Sequence, residues 1–135
     1  MLKKNLGILF ILIAIVSFHG CDTAFKVGDS VVGIQSGKFF YTDGVLRTNY
    51  HADFQRVWDA CVKAMRDMKA IDLAKDKKIS EGLIEAKVYD EEVRISVEYK
   101  GKNMTQVGIH VGVSGSNISS QLIHDKIKQN LLAQK

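Results

Sequence analysis

A chain of 135 residues has room for one domain. Its formal net charge of +4, with no Lys/Arg stripe, excludes a phosphate-tracking nucleic-acid binder. Two cysteines, Cys21 and Cys61, allow one disulfide by count alone and exclude a disulfide-dense scaffold.

The amino terminus opens with Lys3 and Lys4 and continues in the apolar run Leu6–Phe18. A membrane-spanning helix needs roughly 20 apolar residues, so this run is short for one. A basic start, a short apolar core and a small residue before a break together read as a secretory signal over residues 1–20. The other reading, an uncleaved anchor helix, is disfavoured by that length. Losing residues 1–20 lowers the charge from +4 to +2, since they hold two lysines and no acid.

The stretch Ser17-Phe18-His19-Gly20-Cys21 resembles the lipobox of bacterial lipoproteins. There, a small residue precedes a cysteine that is acylated before the chain is cut ahead of it. Gly20 and Cys21 fit, whereas Phe18 and His19 depart from the usual aliphatic and small residues. The resemblance implies cleavage between Gly20 and Cys21, acyl chains of the palmitate type on Cys21, and the bilayer as a partner. Each buried methylene contributes about 0.8 kcal/mol, so two or more chains make a stable anchor. Asp22 resembles an inner-membrane retention signal of enterobacterial sorting, with the outer membrane left open. Residues 21–36, rich in Gly, Ser and small polar groups (GDSVVGIQSG), read as a tether.

Residues 37–135 read as a single folded domain. In GKFFYTDGVLRTNY, Asp43-Gly44 between aromatic and β-branched residues predicts a hairpin. Phe54, Val57, Trp58, Cys61, Ala64, Met65 and Met68 follow at offsets of three and four, which predicts an amphipathic helix from Ala52 to Lys69. Asp53 falls in its first turn, and Asp59 and Lys63 are placed to pair. Cys61 on the apolar stripe reads as a buried thiol.

Beyond this helix the period changes to two. Val93, Ile95, Val97 and Tyr99 alternate with polar residues, as do Val107, Ile109, Val111 and Val113. Gly82, Ile84, Ala86 and Val88 alternate less cleanly. Turns are expected at Asp90-Glu91 and Gly101-Lys102-Asn103, and a short strand at Ile71 and Leu73. Gly115-Ser116-Asn117 offers a break and cap before a second helix. Its stripe is Ile123, Ile127 and Leu131, flanked by Ile118 and Leu122. One dry face per strand and one apolar stripe per helix predict a two-layer α+β domain: an antiparallel meander with both helices on one face.

In order along the chain, several segments resemble a family of small bacterial lipoproteins known as domain of unknown function 3568. They are Gly44-Val45-Leu46 leading to Tyr50, the helix segment Phe54–Ala60, the strand Val107–Val113, and Ile123 with Asp125-Lys126-Ile127. The resemblance covers about residues 36–131 and implies location and fold rather than chemistry. The element order is also similar to helix-grip domains.

No residue pattern predicts catalysis. HExxH, CxxC and GxSxG spacings are absent from the sequence, and the glycine-rich Gly112–Ser116 reads as a loop and cap. His51, His110 and His124 read as surface histidines, and Asp90-Glu91-Glu92 as a solvated tip. No metal, no cofactor and no enzyme are expected. Gly108, His110 and Gly112 outline a low strip on the wet face of one strand, open to a partner; the glycines equally suit a bulge. Phe39-Phe40-Tyr41 suits either a sheet edge open to a partner or core packing by alternate residues. The expected role is a periplasm-facing interaction or scaffold module recruiting an envelope protein. The competing role is a carrier of a small apolar ligand or lipid between sheet and helices. The partner, the oligomeric state and the process are not written in the sequence.

Overall fold

The structure, a computed structural model, describes residues 39–134. The expected signal, Gly20, Cys21, Asp22 and the tether lie outside the described residues. Two short strands, β1 (Phe40–Thr42) and β2 (Val45–Tyr50), lead into helix α1 (Phe54–Asp67). Four strands follow: β3 (Ile71–Lys77), β4 (Glu81–Val88), β5 (Glu91–Gly101) and β6 (Met104–Val111). Helix α2 (Asn117–Ala133) ends the domain. The fold is α+β, with one six-stranded antiparallel sheet in the order β1-β2-β6-β5-β4-β3 and both helices on one face. No helix among the described residues is long and apolar enough to cross a membrane.

The hairpin expected at Asp43-Gly44 is present. Both residues have positive φ, 54° and 77°, which twists the turn in the sense the strands require. The following helix begins two residues later than expected because Asp53 is its cap. Its carboxylate accepts the backbone N–H of Arg56 at 3.0 Å, which satisfies one otherwise unpaired donor for about 1 kcal/mol. The expected Asp59–Lys63 pair is not formed. Gln55 takes the Asp59 carboxylate at 2.8 Å, and Lys63 reaches one turn forward to Asp67 at 2.8 Å.

The core lies between the layers. From α1 it takes Val57, Trp58, Cys61 and Met65, and from the strands Leu46, Ile84, Ile95, Val97, Val107 and Ile109; α2 adds Ile123, Ile127 and Leu131. Two alternating positions depart from the period. Tyr99 is half exposed because the β5–β6 register slips between Tyr99 and Gly101. Val113 is fully exposed because β6 ends at Val111, and Gly112, at φ 74°, turns the chain away. The β4–β5 turn is Tyr89-Asp90 rather than Asp90-Glu91, since Glu91 already pairs with Val88.

β3 is longer than expected but lies almost wholly exposed at one sheet edge. A register irregularity between Ile71 and Ala74, together with Lys75 and Lys77, blunts that edge against pairing with another chain. The Lys77 ammonium lies 5.7 Å from the Phe54 ring and 5.8 Å from Trp58, closing the open side of the aromatic pair. At the other edge, Phe40 faces outward while Phe39 and Tyr41 pack against the core, so alternate residues of the aromatic cluster serve packing.

Candidate functional site

The helices cover one face of the sheet and leave the other open. Across this open face, register aligns Val45, His110, Arg94, Glu85 and Ala74 in one row, and Arg47, Gly108, Ser96, Leu83 and Asp76 in the next. The Arg94 guanidinium donates to Glu85 at 3.0 Å, and the Lys87 ammonium lies 3.8 Å from Asp72. Such exposed pairs contribute at most about 1 kcal/mol each, so they organise the surface more than they stabilise the fold.

An open groove of about 490 Å³ runs over the start of β5 and the end of β6, lined by Asp72, Lys87, Glu92, Arg94, His110 and Val113 among others. A smaller groove of about 240 Å³ lies on the same face around Leu83, Ser96 and Glu98. His110 is half buried in the wall of the larger groove, and Gly112 forms its rim with open space where a side chain would stand. Gly108 differs from both. It is buried, and a Cβ there would lie 2.6 Å from the Ser96 hydroxyl oxygen and 3.4 Å from a Val45 methyl. The strip is therefore filled at Gly108 and open at His110 and Gly112. The register runs unbroken through Gly108 on both sides, so the glycine marks no bulge, and the Ser96 hydroxyl occupies the space above it.

His124, read above as a surface residue, is buried on the face of α2 turned toward β2. The Tyr50 hydroxyl and its Nδ1 share a hydrogen bond at 2.5 Å, with the rings stacked at 5.6 Å between centroids. With the ring neutral and its proton on Nε2 the hydroxyl donates; with the proton on Nδ1 the hydroxyl oxygen accepts. Burial lowers the His124 pKa; Asp125 raises it in partial opposition, and Lys128 adds to the lowering. Burial likewise raises the Tyr50 pKa well above its ordinary value, so the phenol stays protonated. A usable signal was present in the sequence, because His124 follows Ile123 and sits three residues before Ile127, inside the helix stripe. Cys61 is fully buried and burial raises its pKa, which leaves the thiol unreactive. Among the described residues, no three His, Cys, Asp or Glu side chains come together to hold a metal ion.

The family model described as "Protein of unknown function (DUF3568)" matches residues 4–130. The chain belongs to this family. The DUF3568 match begins ahead of the described residues, at Lys4 just before the amino-terminal apolar run, and ends inside α2. Among curated proteins, none matches the chain.

Proposed function

We propose that this DUF3568 chain is a membrane-anchored bacterial lipoprotein, its domain a non-catalytic, periplasm-facing interaction or scaffold module of the cell envelope. The observation that carries the reading is the junction at Gly20-Cys21, which directly follows a basic start and the short apolar run Leu6–Phe18. Acyl chains on Cys21 supply the membrane affinity that this run is too short to supply as a spanning helix. The domain supports an interaction role in a second way. One whole sheet face, with its groove at His110 and Gly112, is left free of the helices.

The test is the intact mass and membrane fraction of the full chain in a diderm host, beside Cys21→Ala, with and without an inhibitor of the lipoprotein signal peptidase. The expected product starts at an acylated Cys21 and is lost in the variant. An unmodified mass, or one that retains Leu6–Phe18, overturns the anchor and the role built on it.

A further inference from the structure

We propose that one end of the sheet is a docking surface for a protein partner that presents apolar side chains ringed by lysine or arginine. This rests on the interaction role above and says where on the domain it resides. Three connections meet at this end: the Asp43-Gly44 turn, the Tyr89-Asp90 turn, and the loop from Gly112 to Ser116 that enters α2. β3 also begins here, at Ile71, which pairs with Lys87 one residue before β4 ends. Tyr89 is 85% exposed, Ile118 83%, Val113 fully and Ile71 more than half. Neighbouring strands lie about 4.8 Å apart, so the strand ends from β3 to β6 that carry Ile71, Tyr89 and Val113 fall within about 15 Å of one another, and Ile118 stands in the first turn of α2 at the same end. Large apolar groups gathered on one rim mark an interaction site, whereas scattered ones need no explanation.

The rim is held rigid. Backbone at Gly44 packs directly on Gly115, locking the first turn to the loop before α2. Ser119 on α2 donates to Glu91 at 3.3 Å, and the Gly112 N–H to the Glu92 carbonyl at 2.8 Å, tying that loop and helix to the start of β5. Preformed surfaces lose little freedom on binding, which leaves more of the contact energy as affinity. Tyr89 also sits where local structure disfavours it. Its φ of 49° is left-handed, costs a bulky residue about 1 kcal/mol, and suits Asn or Gly in such a turn. The fold gains nothing from an exposed aromatic there, while a partner surface gains a stiff, wide contact.

Charge selects the occupant. At this end Asp72 is paired with Lys87 and Glu85 with Arg94. The carboxylates of Asp43, Asp90, Glu91 and Glu92 are in no ion pair among the described residues and outnumber the remaining cations Arg66 and Lys69, although the chain as a whole is basic. An anionic bilayer is repelled by such a rim; a basic protein surface is drawn to it. Glu92 is in no ion pair among the described residues and lines the groove beside His110 and Gly112, open to a basic side chain of the partner.

The experiment places a photocrosslinking benzoylphenylalanine at position 89, 113 or 118, and at position 102 in the opposite turn, of the full chain in the cells it comes from. The expected result is a discrete adduct with one other protein from the first three positions and none from position 102. Its yield should fall at least about tenfold in the double variant Asp90→Asn, Glu92→Lys, which keeps a residue suited to the positive φ at position 90, with the melting temperature unchanged. Adducts with lipid, adducts with a second copy of the chain, or a yield indifferent to the charge change overturn the proposal. Protein adducts from position 102 alone remove this surface and leave the interaction role standing. Absence of protein adducts at every position removes both.

Discussion

The six-membered ring of Trp58 fills the space above the α-carbon of Gly82, where the methyl of an alanine would stand. The indole is 94% buried by this contact and by Phe54, stacked beside it at 6.4 Å. α1 thus rests on β4 through one large side chain and one missing side chain. Gly82→Ala is expected to push the ring out of its seat and cost about 1–3 kcal/mol, as overpacking does. Trp58→Ala is expected to cost roughly 3–5 kcal/mol. Urea unfolding of both variants checks this, and a normal midpoint for either refutes the placement of this contact in the core.

Much of this arrangement is legible in the sequence, for a physical reason. Period alone places Val57, Trp58, Cys61 and Met65 on one helix face, and Ile84, Ile95 and Ile109 on one sheet face, because burial demands it. Trp58 meeting Gly82 is not legible. That contact depends on how α1 crosses the sheet, which is set by the pairing of β2 with β6 across more than fifty residues of chain. Strand ends fail for a related reason: Val113 keeps the alternation of Val107, Ile109 and Val111, yet a positive φ at Gly112 removes it from the sheet. His124 was misread because a histidine beside Asp125 looks solvated until Tyr50 is seen above it. The candidate surface was half legible. His110 and Gly112 do line a groove, but the neighbours that shape it, Asp72, Lys87, Glu92 and Arg94, come from other strands.

Burial of His124 against Tyr50 makes the domain sensitive to acid. The folded ring has a lowered pKa, chiefly from burial, whereas in the unfolded chain it titrates at about 6.5. Below that pH the unfolded chain binds a proton that the fold resists, so stability is complete above about pH 6.5 and declines as pH falls toward the folded value. Melting temperature should therefore drop between about pH 7 and pH 5 in the native chain. In Tyr50→Phe, fully formed at pH 7 but lacking the hydroxyl, His124 should still resist protonation, because burial is the larger cause. An equal decline in His124→Gln would assign the acid sensitivity to other groups.

Gly115 lies against Gly44 so closely that any Cβ on it overlaps the Gly44 backbone, and its φ is 87°. Gly115→Ala faces both a steric overlap and a disfavoured left-handed conformation, so it should cost clearly more than about 1 kcal/mol. The loss should be local. Hydrogen exchange is expected to quicken in β1, β2 and the first turn of α2, with β4 and β5 retaining protection. Uniform acceleration across the sheet would mean that the turn and the loop do not act as a separate clamp.

Thr48 presents the opposite case, a polar group whose removal should help. It lies on the inner side of β2 between Leu46 and Tyr50, 1% exposed, and its hydroxyl oxygen has no hydrogen-bond partner among the described residues. Thr105 is equally buried, but its hydroxyl donates to the Ala52 carbonyl at 3.0 Å. A buried unpaired hydroxyl costs about 1–3 kcal/mol, and valine has nearly the same shape. Thr48→Val is thus expected to raise stability by roughly 1 kcal/mol or more. Thr105→Val, which leaves the Ala52 carbonyl unpaired, is expected to lower it by a similar amount. The two substitutions are chemically identical and sit on neighbouring strands, so β propensity and hydrophobicity change alike. Opposite signs in urea unfolding would isolate the hydrogen bond as the cause; the same sign for both would show that the Thr48 hydroxyl is satisfied after all.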